Sequence, residues 1–429
     1  MTPRSLVVKA AAPLALVALL GAACGSDDDT PAASGDPATT ETTAGESSTG
    51  ERGAAGVETA AAELRAGLTS LLQEHVYLAG AAISTAVSAG GDMEAPAVTS
   101  AVETLDANSV ALSEAVGSVY GDEAASQFLD LWRAHIGMFV DYTLGGATGD
   151  TAKQQQAAAE LDQYRQDFGA FLESATGGAG GLTQDVVAEN LQEHVNLLVA
   201  AVDAVLAKDP TVYEKLKAAA EHMPSTAQAL AGAIAEQNEL EGDIAAPSSE
   251  LRSGLTHLLQ EHVYLAGLAI NQAVADGGNM EAPATANAVA ALDANSVSLS
   301  EAIGSVYGEQ AASQFLDLWR AHIGMFVDYT LGGATGDTAK QEQAAKELDE
   351  YRQDFGAFVE SATKGELSVD QVAEELQVHV DSLVAAIDAV LAKDPSVFPK
   401  LRESAQHMPM TAMALAGAIA AANPDTFTS

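Results

Sequence analysis

The chain is short of basic residues, aromatic residues and cysteine, and the first shortage excludes a class of partner. Of its 429 residues only 19 are Lys or Arg, against 60 Asp or Glu, so the formal net charge is −41. Such a surface repels the phosphate backbone, which excludes nucleic-acid binding. The charge is typical of a solvated extracellular protein, or of a protein that concentrates cations.

Several sequence motifs of common enzyme classes are missing as well. The HExxH helix of zinc metalloproteases, the GxSxG turn, the P-loop and the dinucleotide-binding glycine pattern do not occur. The Glu-x-x-His pairs of di-iron bundles and the CxxCH haem attachment motif are also absent. We therefore expect no catalytic role, and any haem would be held without a covalent bond.

Aromatic residues make up only 5 % of a chain that is 48 % hydrophobic, so its apolar content is mostly Ala, Val and Leu. This composition favours helix over sheet. Glycine pairs and Asp-Pro sequences punctuate the apolar helical pattern. The sequence therefore predicts an all-α fold without strands.

A duplication organises the chain. Residues 63–236 and 250–421 are copies of each other, and residues 124–154 are identical to residues 311–341. Each copy is long enough to bury its own core. The duplication therefore predicts two tandem modules of the same fold.

We place module 1 at 61–236, a short polar linker at 237–249 and module 2 at 250–423. Short connections between helices favour antiparallel neighbours, so each module is predicted to be a six-helix up-and-down bundle. In module 1 the turn signals place the helices near 60–88, 94–117, 122–144, 151–175, 183–207 and 210–236.

The only cysteine lies near the N-terminus and excludes an intrachain disulfide. Arg4 and Lys9 precede the apolar stretch 10–23, and Cys24 follows Leu20-Gly21-Ala22-Ala23. The stretch is too short for a membrane span and has the dimensions of a secretory signal.

This segment resembles the lipobox of bacterial lipoproteins, although that family usually has Leu at the position of Gly21. The resemblance implies that residues 1–23 are a signal peptide and that Cys24 becomes a lipidated N-terminus. It implies an extracytoplasmic protein held at the cell membrane by that lipid. Residues 24–60 are rich in Ser, Thr, Gly, Pro and acidic side chains, so we predict a disordered tether there.

Eight of the nine histidines form two matched sets of four, with each member on a different predicted helix of its module. His135, for example, lies on one apolar stripe with Phe128, Leu131, Trp132 and Phe139. The sets are His75, His135, His194 and His222, and His262, His322, His379 and His407.

Two hypotheses follow from these inward-facing rings. In the first, imidazoles from facing helices converge on a transition metal or a haem, as bundle cores allow. In the second, each ring is structural and bonds its own neighbour, with Asn108 and Asn295 as candidate partners, and the protein is a non-catalytic cell-envelope interaction or scaffold module. The ninth histidine, His257, aligns with Ser70 of the other copy and belongs to neither set.

Further side chains near the matched histidines are candidates for lining a ligand pocket. They are Trp132, Met138 and Tyr142 in module 1, and Trp319, Met325 and Tyr329 in module 2. Met138, Met223, Met325 and Met408 are also candidate soft ligands for Cu(I) beside the histidines. The segment LWRAHIGMFVDYT resembles segments of uncharacterised secreted helical-bundle proteins of bacteria, which implies no activity.

Overall fold

The computed structural model describes residues 56–427, and this part of the chain is all-α, as predicted. The predicted signal peptide, Cys24 and all but the last residues of the predicted tether lie outside the described residues. No helix between residues 56 and 427 is both long enough and apolar enough to cross a membrane.

The helices of module 1 are α1 Ala60–Ser88, α2 Pro96–Tyr120, α3 Asp122–Thr148, α4 Thr151–Thr176, α5 Gln184–Ala207, α6 Val212–Glu221 and α7 Met223–Asn238. Those of module 2 are α8 Pro247–Ala275, α9 Pro283–Tyr307, α10 Glu309–Thr335, α11 Thr338–Ala362, α12 Val369–Ala392 and α13 Val397–Ala422. Helices that follow one another along the chain pack together, and the first helix of each module packs on its last, so each bundle closes.

The predicted sixth helix of module 1 is divided, whereas its counterpart in module 2 is not. His222 separates α6 from α7, and Pro224 follows at the start of α7. Proline has no N–H for the helical hydrogen bond, which weakens the helix at this point. In module 2 the equivalent Pro409 lies inside the continuous helix α13.

The ends of the helices follow local rules. The Thr59 side chain accepts a hydrogen bond from the Ala62 amide and caps α1, and Asp150 caps α4 in the same way through Lys153. Gly121 joins α2 to α3 at φ 86°, a conformation that favours glycine. Val57 is buried against the core, so the folded part begins before the predicted end of the tether.

The two modules pack against each other through their first helices, α1 and α8. The rings of Tyr77 and its counterpart Tyr264 stack there, with centroids 5.2 Å apart. Arg65 donates to the carbonyl of Ile244, so the segment between the modules is held against α1. The predicted linker is therefore shorter than 237–249, because α8 already begins at Pro247.

Candidate functional site

Three of the four matched histidines of each module meet in the centre of its bundle. In module 1 they are His75 on α1, His135 on α3 and His194 on α5, which we call trio 1. The counterparts in module 2, trio 2, are His262, His322 and His379. All six side chains are buried.

The ring nitrogens lie close together. The Nε2 atoms of His75 and His135 are 3.3 Å apart, and those of His262 and His322 are also 3.3 Å apart. One nitrogen from each ring of trio 2 lies within 4.8 Å of the other two. In trio 1 the three ring nitrogens do not all lie within this distance of one another, and the centroids of His75 and His194 are 6.4 Å apart, against 6.2 Å for His262 and His379.

Aromatic side chains enclose the histidines. Trp132 lies 4.8 Å from His75 and 4.7 Å from His135 between ring centroids, and Tyr164 of α4 stacks on His135 at 5.0 Å. Trp319 and Tyr351 repeat this arrangement in module 2. The two tyrosines were not predicted from the sequence, although Tyr164 shares an apolar stripe with Leu161 and Phe168.

Burial keeps these imidazoles neutral. Burial, assisted by the nearby His194, lowers the pKa of His135 from 6.5 to about 3, and burial lowers the pKa of His194 to about 4. The pKa of His75 is also well below its ordinary value, mainly because of burial. The same causes act on trio 2. At pH 7 each ring therefore keeps a lone pair that can bind a metal.

The protein provides few hydrogen-bond partners for the nitrogen atoms of the six rings. Within the described residues, their buried Nδ1 atoms have no hydrogen-bond partner of normal geometry, although the backbone of Trp132 lies close enough to the His135 ring to raise its pKa slightly, as that of Trp319 does for His322. Apart from the contact between the paired Nε2 atoms, no hydrogen bond joins these rings to a neighbouring helix in that part of the chain. Buried polar atoms are rarely left in this state without a ligand, ion or water to explain it.

The fourth member of each predicted set stays outside the trio. His222 ends α6, and its buried Nε2 has no partner among the described residues. His407 Nε2 lies 3.2 Å from Glu375 Oε2. Of the four histidines predicted as candidates in each module, three therefore lie together and the fourth lies outside them. His222 lies near enough to His194 to lower the pKa of His194 further.

Of the predicted pocket-lining residues, the tryptophans line cavities, whereas the tyrosines bind surface carboxylates. Trp132 and Trp319 do line cavities beside the trios. Tyr142 and Tyr329 instead donate to surface carboxylates, those of Asp203 and Asp388.

The cavity-lining methionines are not the predicted Met138 and Met325, which are half-buried against the core. They are Met93, Met223, Met280 and Met408. Met223 and Met408 were among the candidates predicted from the sequence, whereas Met93 and Met280, which lie in the turns after α1 and α8, were not.

The candidate structural partners of the histidines have other roles. Asn108 Nδ2 donates to the Leu71 carbonyl at 3.0 Å and to Glu74 Oε1 at 3.1 Å, and Asn295 makes the equivalent bonds. His257 Nδ1 lies 2.6 Å from Gln73 Oε1 at the module interface, where its role is structural.

A buried polar network adjoins each trio on the side that faces the other module. Glu74, next to His75 in sequence, is 1 % exposed and binds Arg402 Nε of module 2 at 2.7 Å and Tyr264 Oη at 3.1 Å. The counterpart Glu261 binds Lys217 at 3.4 Å and Tyr77 at 2.9 Å. The duplicated sequence thus builds a two-fold arrangement across the interface.

No protein-family model, curated protein or solved structure matches this chain. The site therefore has to be interpreted from its own geometry.

Proposed function

We propose that the protein is a lipid-anchored, extracytoplasmic metal-binding protein that holds one transition-metal ion in each module. The ligands are the neutral imidazoles of trio 1 and trio 2. The observation that carries the proposal is the convergence of three buried histidines from three helices in trio 2, within 4.8 Å of one another.

The separation of the paired nitrogens fits a metal site. Two nitrogens bound to one tetrahedral metal ion at 2.0–2.1 Å lie about 3.3–3.4 Å apart. His262 and His322 have this separation already, at 3.3 Å. The His379 nitrogen lies within 4.8 Å of the other two. It therefore needs to move by roughly 1.4 Å at most to reach the spacing of about 3.4 Å between nitrogens bound to one metal ion.

The same distance argues against haem, the other cofactor that the histidines suggested. An iron with two axial histidines has the macrocycle between them, and each ring lies on its own side of that plane. Nε2 atoms 3.3 Å apart leave no room for the macrocycle. Trp132 and Tyr164 also pack directly on the rings.

The surroundings favour an ion of low charge. The ligands are neutral, so a dication would bring two uncompensated charges into an apolar core, which is more costly than one. Met223 and Met408, whose thioethers suit Cu(I), line cavities shared with His194 and His379. We therefore propose Cu(I) as the preferred ion.

The structural hypothesis for the histidines requires a partner for each ring. The buried Nδ1 atoms of His75, His194, His262 and His379, which have no partner among the described residues, count against it. Purified protein that contains no metal and binds neither Cu(I) nor Zn²⁺ would establish the structural hypothesis instead.

The experiment is metal analysis and titration of the chain from Gly25 onward, which contains every described residue. We expect His322→Ala to abolish the site of module 2 and to leave that of module 1, so the bound metal falls by half. His257→Ala is the matched control, because His257 is bonded to Gln73 away from the trios. Equal loss in both variants would contradict the proposal.

The proposed location rests on Cys24 and its lipobox-like surroundings. We expect labelled palmitate to be incorporated by cells that express the full chain, and Cys24→Ser to prevent it. A Cys24→Ser chain that is still labelled and still sediments with membranes would refute the anchor without affecting the metal proposal. The charge of −41 suits a protein that attracts cations outside the cytoplasm.

A further inference from the structure

The bundle of module 1 contains a long apolar cavity that metal binding leaves unexplained. It runs from Leu64 and Ile234 at one end of the bundle to His75 and His194 at trio 1, and we call it the end cavity. Its volume is about 120 Å³. Along α1 it extends from Leu64 to His75, which at 1.5 Å per residue is about 16 Å.

The wall of the end cavity is almost entirely apolar. Among the described residues that line it, none is Asp, Glu, Lys or Arg. Leu, Val, Ala and Phe side chains of α1, α2, α3, α4, α5 and α7 make up most of it. Its elongated shape, which follows the helix axes, suits a single extended hydrocarbon chain.

Three polar atoms at the inner part of the cavity have no partner among the described residues: the Nδ1 atoms of His75 and His194, and Trp132 Nε1. Trp132 lines the cavity and is 6 % exposed, and its buried Nε1–H donates to no described residue. An indole N–H is a donor only, so it requires an acceptor oxygen or nitrogen. Buried Trp usually has such a partner, and leaving the N–H unpaired costs free energy.

We propose that the end cavity binds an uncharged long-chain lipid whose head carries a hydrogen-bond acceptor, such as an ester carbonyl. The chain fills the apolar slot, and the carbonyl oxygen accepts from Trp132 Nε1. A free carboxylate is disfavoured, because no described cation lines the cavity and the protein carries a charge of −41. The site does not depend on metal in trio 1.

Module 2 supplies an internal comparison. Its equivalent cavity is smaller, about 70 Å³ on the same measure, and Glu375 lines it where module 1 has Asn190. The Glu375 side chain is 49 % exposed and lies 3.2 Å from His407 Nε2, so it adds an acidic group to the wall of that cavity. The lipid site is therefore a property of module 1.

The test is equilibrium binding of three radiolabelled ligands to the metal-free chain from Gly25 onward. They are a long-chain fatty-acid methyl ester, the matching free fatty acid and the matching alkane. We expect the ester to bind most tightly. We expect Trp132→Phe to remove the preference for ester over alkane, a change of about three- to tenfold, because it deletes one hydrogen bond and keeps the ring packing. Trp319→Phe is the matched control in module 2.

A second variant tests the position of the chain. Ala229 lines the end cavity, whereas its counterpart Ala414 does not line the cavity of module 2. Ala229→Phe is expected to block binding of the ester, and Ala414→Phe to leave it unchanged, with circular dichroism as the check of folding. The proposal is overturned if no ligand binds, if alkane and ester bind equally well to the unmodified chain, or if the two phenylalanine variants behave alike.

Discussion

Replacing Arg402 by Met should destabilise the protein strongly, because it leaves the Glu74 carboxylate buried without its cation. Glu74 is 1 % exposed, and Arg402 Nε lies 2.7 Å from its Oε1 atom. After the substitution two neutral donors remain among the described residues, Asn108 at 3.1 Å and Tyr264 at 3.1 Å. Breaking a buried ion pair by removing one partner costs about 3–5 kcal/mol.

The lower end of that range is the expected loss. The Arg402 side chain retains 16 % exposure, so water partly screens the pair, and the two remaining hydrogen bonds still stabilise the carboxylate. Methionine replaces much of the packing volume of the arginine stem. We therefore expect the free energy of unfolding to fall by about 3 kcal/mol.

The assay is urea unfolding of the chain from Gly25 onward, followed by far-ultraviolet circular dichroism. The double variant Glu74→Gln/Arg402→Met removes the charge as well as its partner, so it should recover part of the loss. A fall of less than about 1 kcal/mol in Arg402→Met, the scale of an exposed pair, would refute the reasoning. So would a double variant that is less stable than Arg402→Met.

Three further predictions follow from the site and its packing. The buried histidines of both trios have lowered pKa values, so below pH 6.5 the unfolded chain binds more protons than the folded chain. The free energy of unfolding should therefore fall as the pH drops towards 4, by at most about 1.4 kcal/mol per pH unit for each ring. Acid titration followed by circular dichroism checks this, and a flat profile would contradict it. Cu(I) affinity, measured by competition with a chelator, should change little between about pH 8 and pH 6.5, since the folded rings are already neutral in that range; a steep decrease would indicate exposed ligands. Gly169→Ala should cost about 1–3 kcal/mol or more, because a Cβ there would lie 2.5 Å from the Gln184 carbonyl oxygen. The control Gly137→Ala, whose Cβ would meet no atom within 4 Å, should stabilise α3 by about 0.5–1 kcal/mol; equal effects in urea unfolding would show that the close approach is unimportant.

Local sequence patterns were sufficient for the elements of the fold. Apolar spacing predicted a helix over 122–144 that contains Trp132 and His135, and the structure has α3 at Asp122–Thr148. Spacing also placed His75, His135 and His194 on inward faces, and all three are buried. Helical periodicity reports which residues share a face, because side chains three and four positions apart lie together.

The same patterns failed where partners come from distant parts of the chain. Nothing in the spacing around Glu74 indicates Arg402, because the pair forms only when α13 of module 2 packs beside α1. The hydrogen bond between His257 and Gln73 likewise forms only at the interface between the two modules. Contacts of this kind are set by how helices pack on one another, which a one-dimensional pattern does not specify.

The sequence by itself thus determined an all-α chain, a duplicated module and a set of inward histidines, since composition, repeats and periodicity are local properties. Tertiary structure alone decided that His262, His322 and His379 converge in module 2, that His75 pairs with His135 in module 1, and that His407 instead lies beside Glu375. It also decided that the two modules join through α1 and α8 and that Trp132 faces a long apolar cavity. Distances of a few ångströms between side chains on different helices depend on packing angles and rotamers, and these exist only in the folded chain.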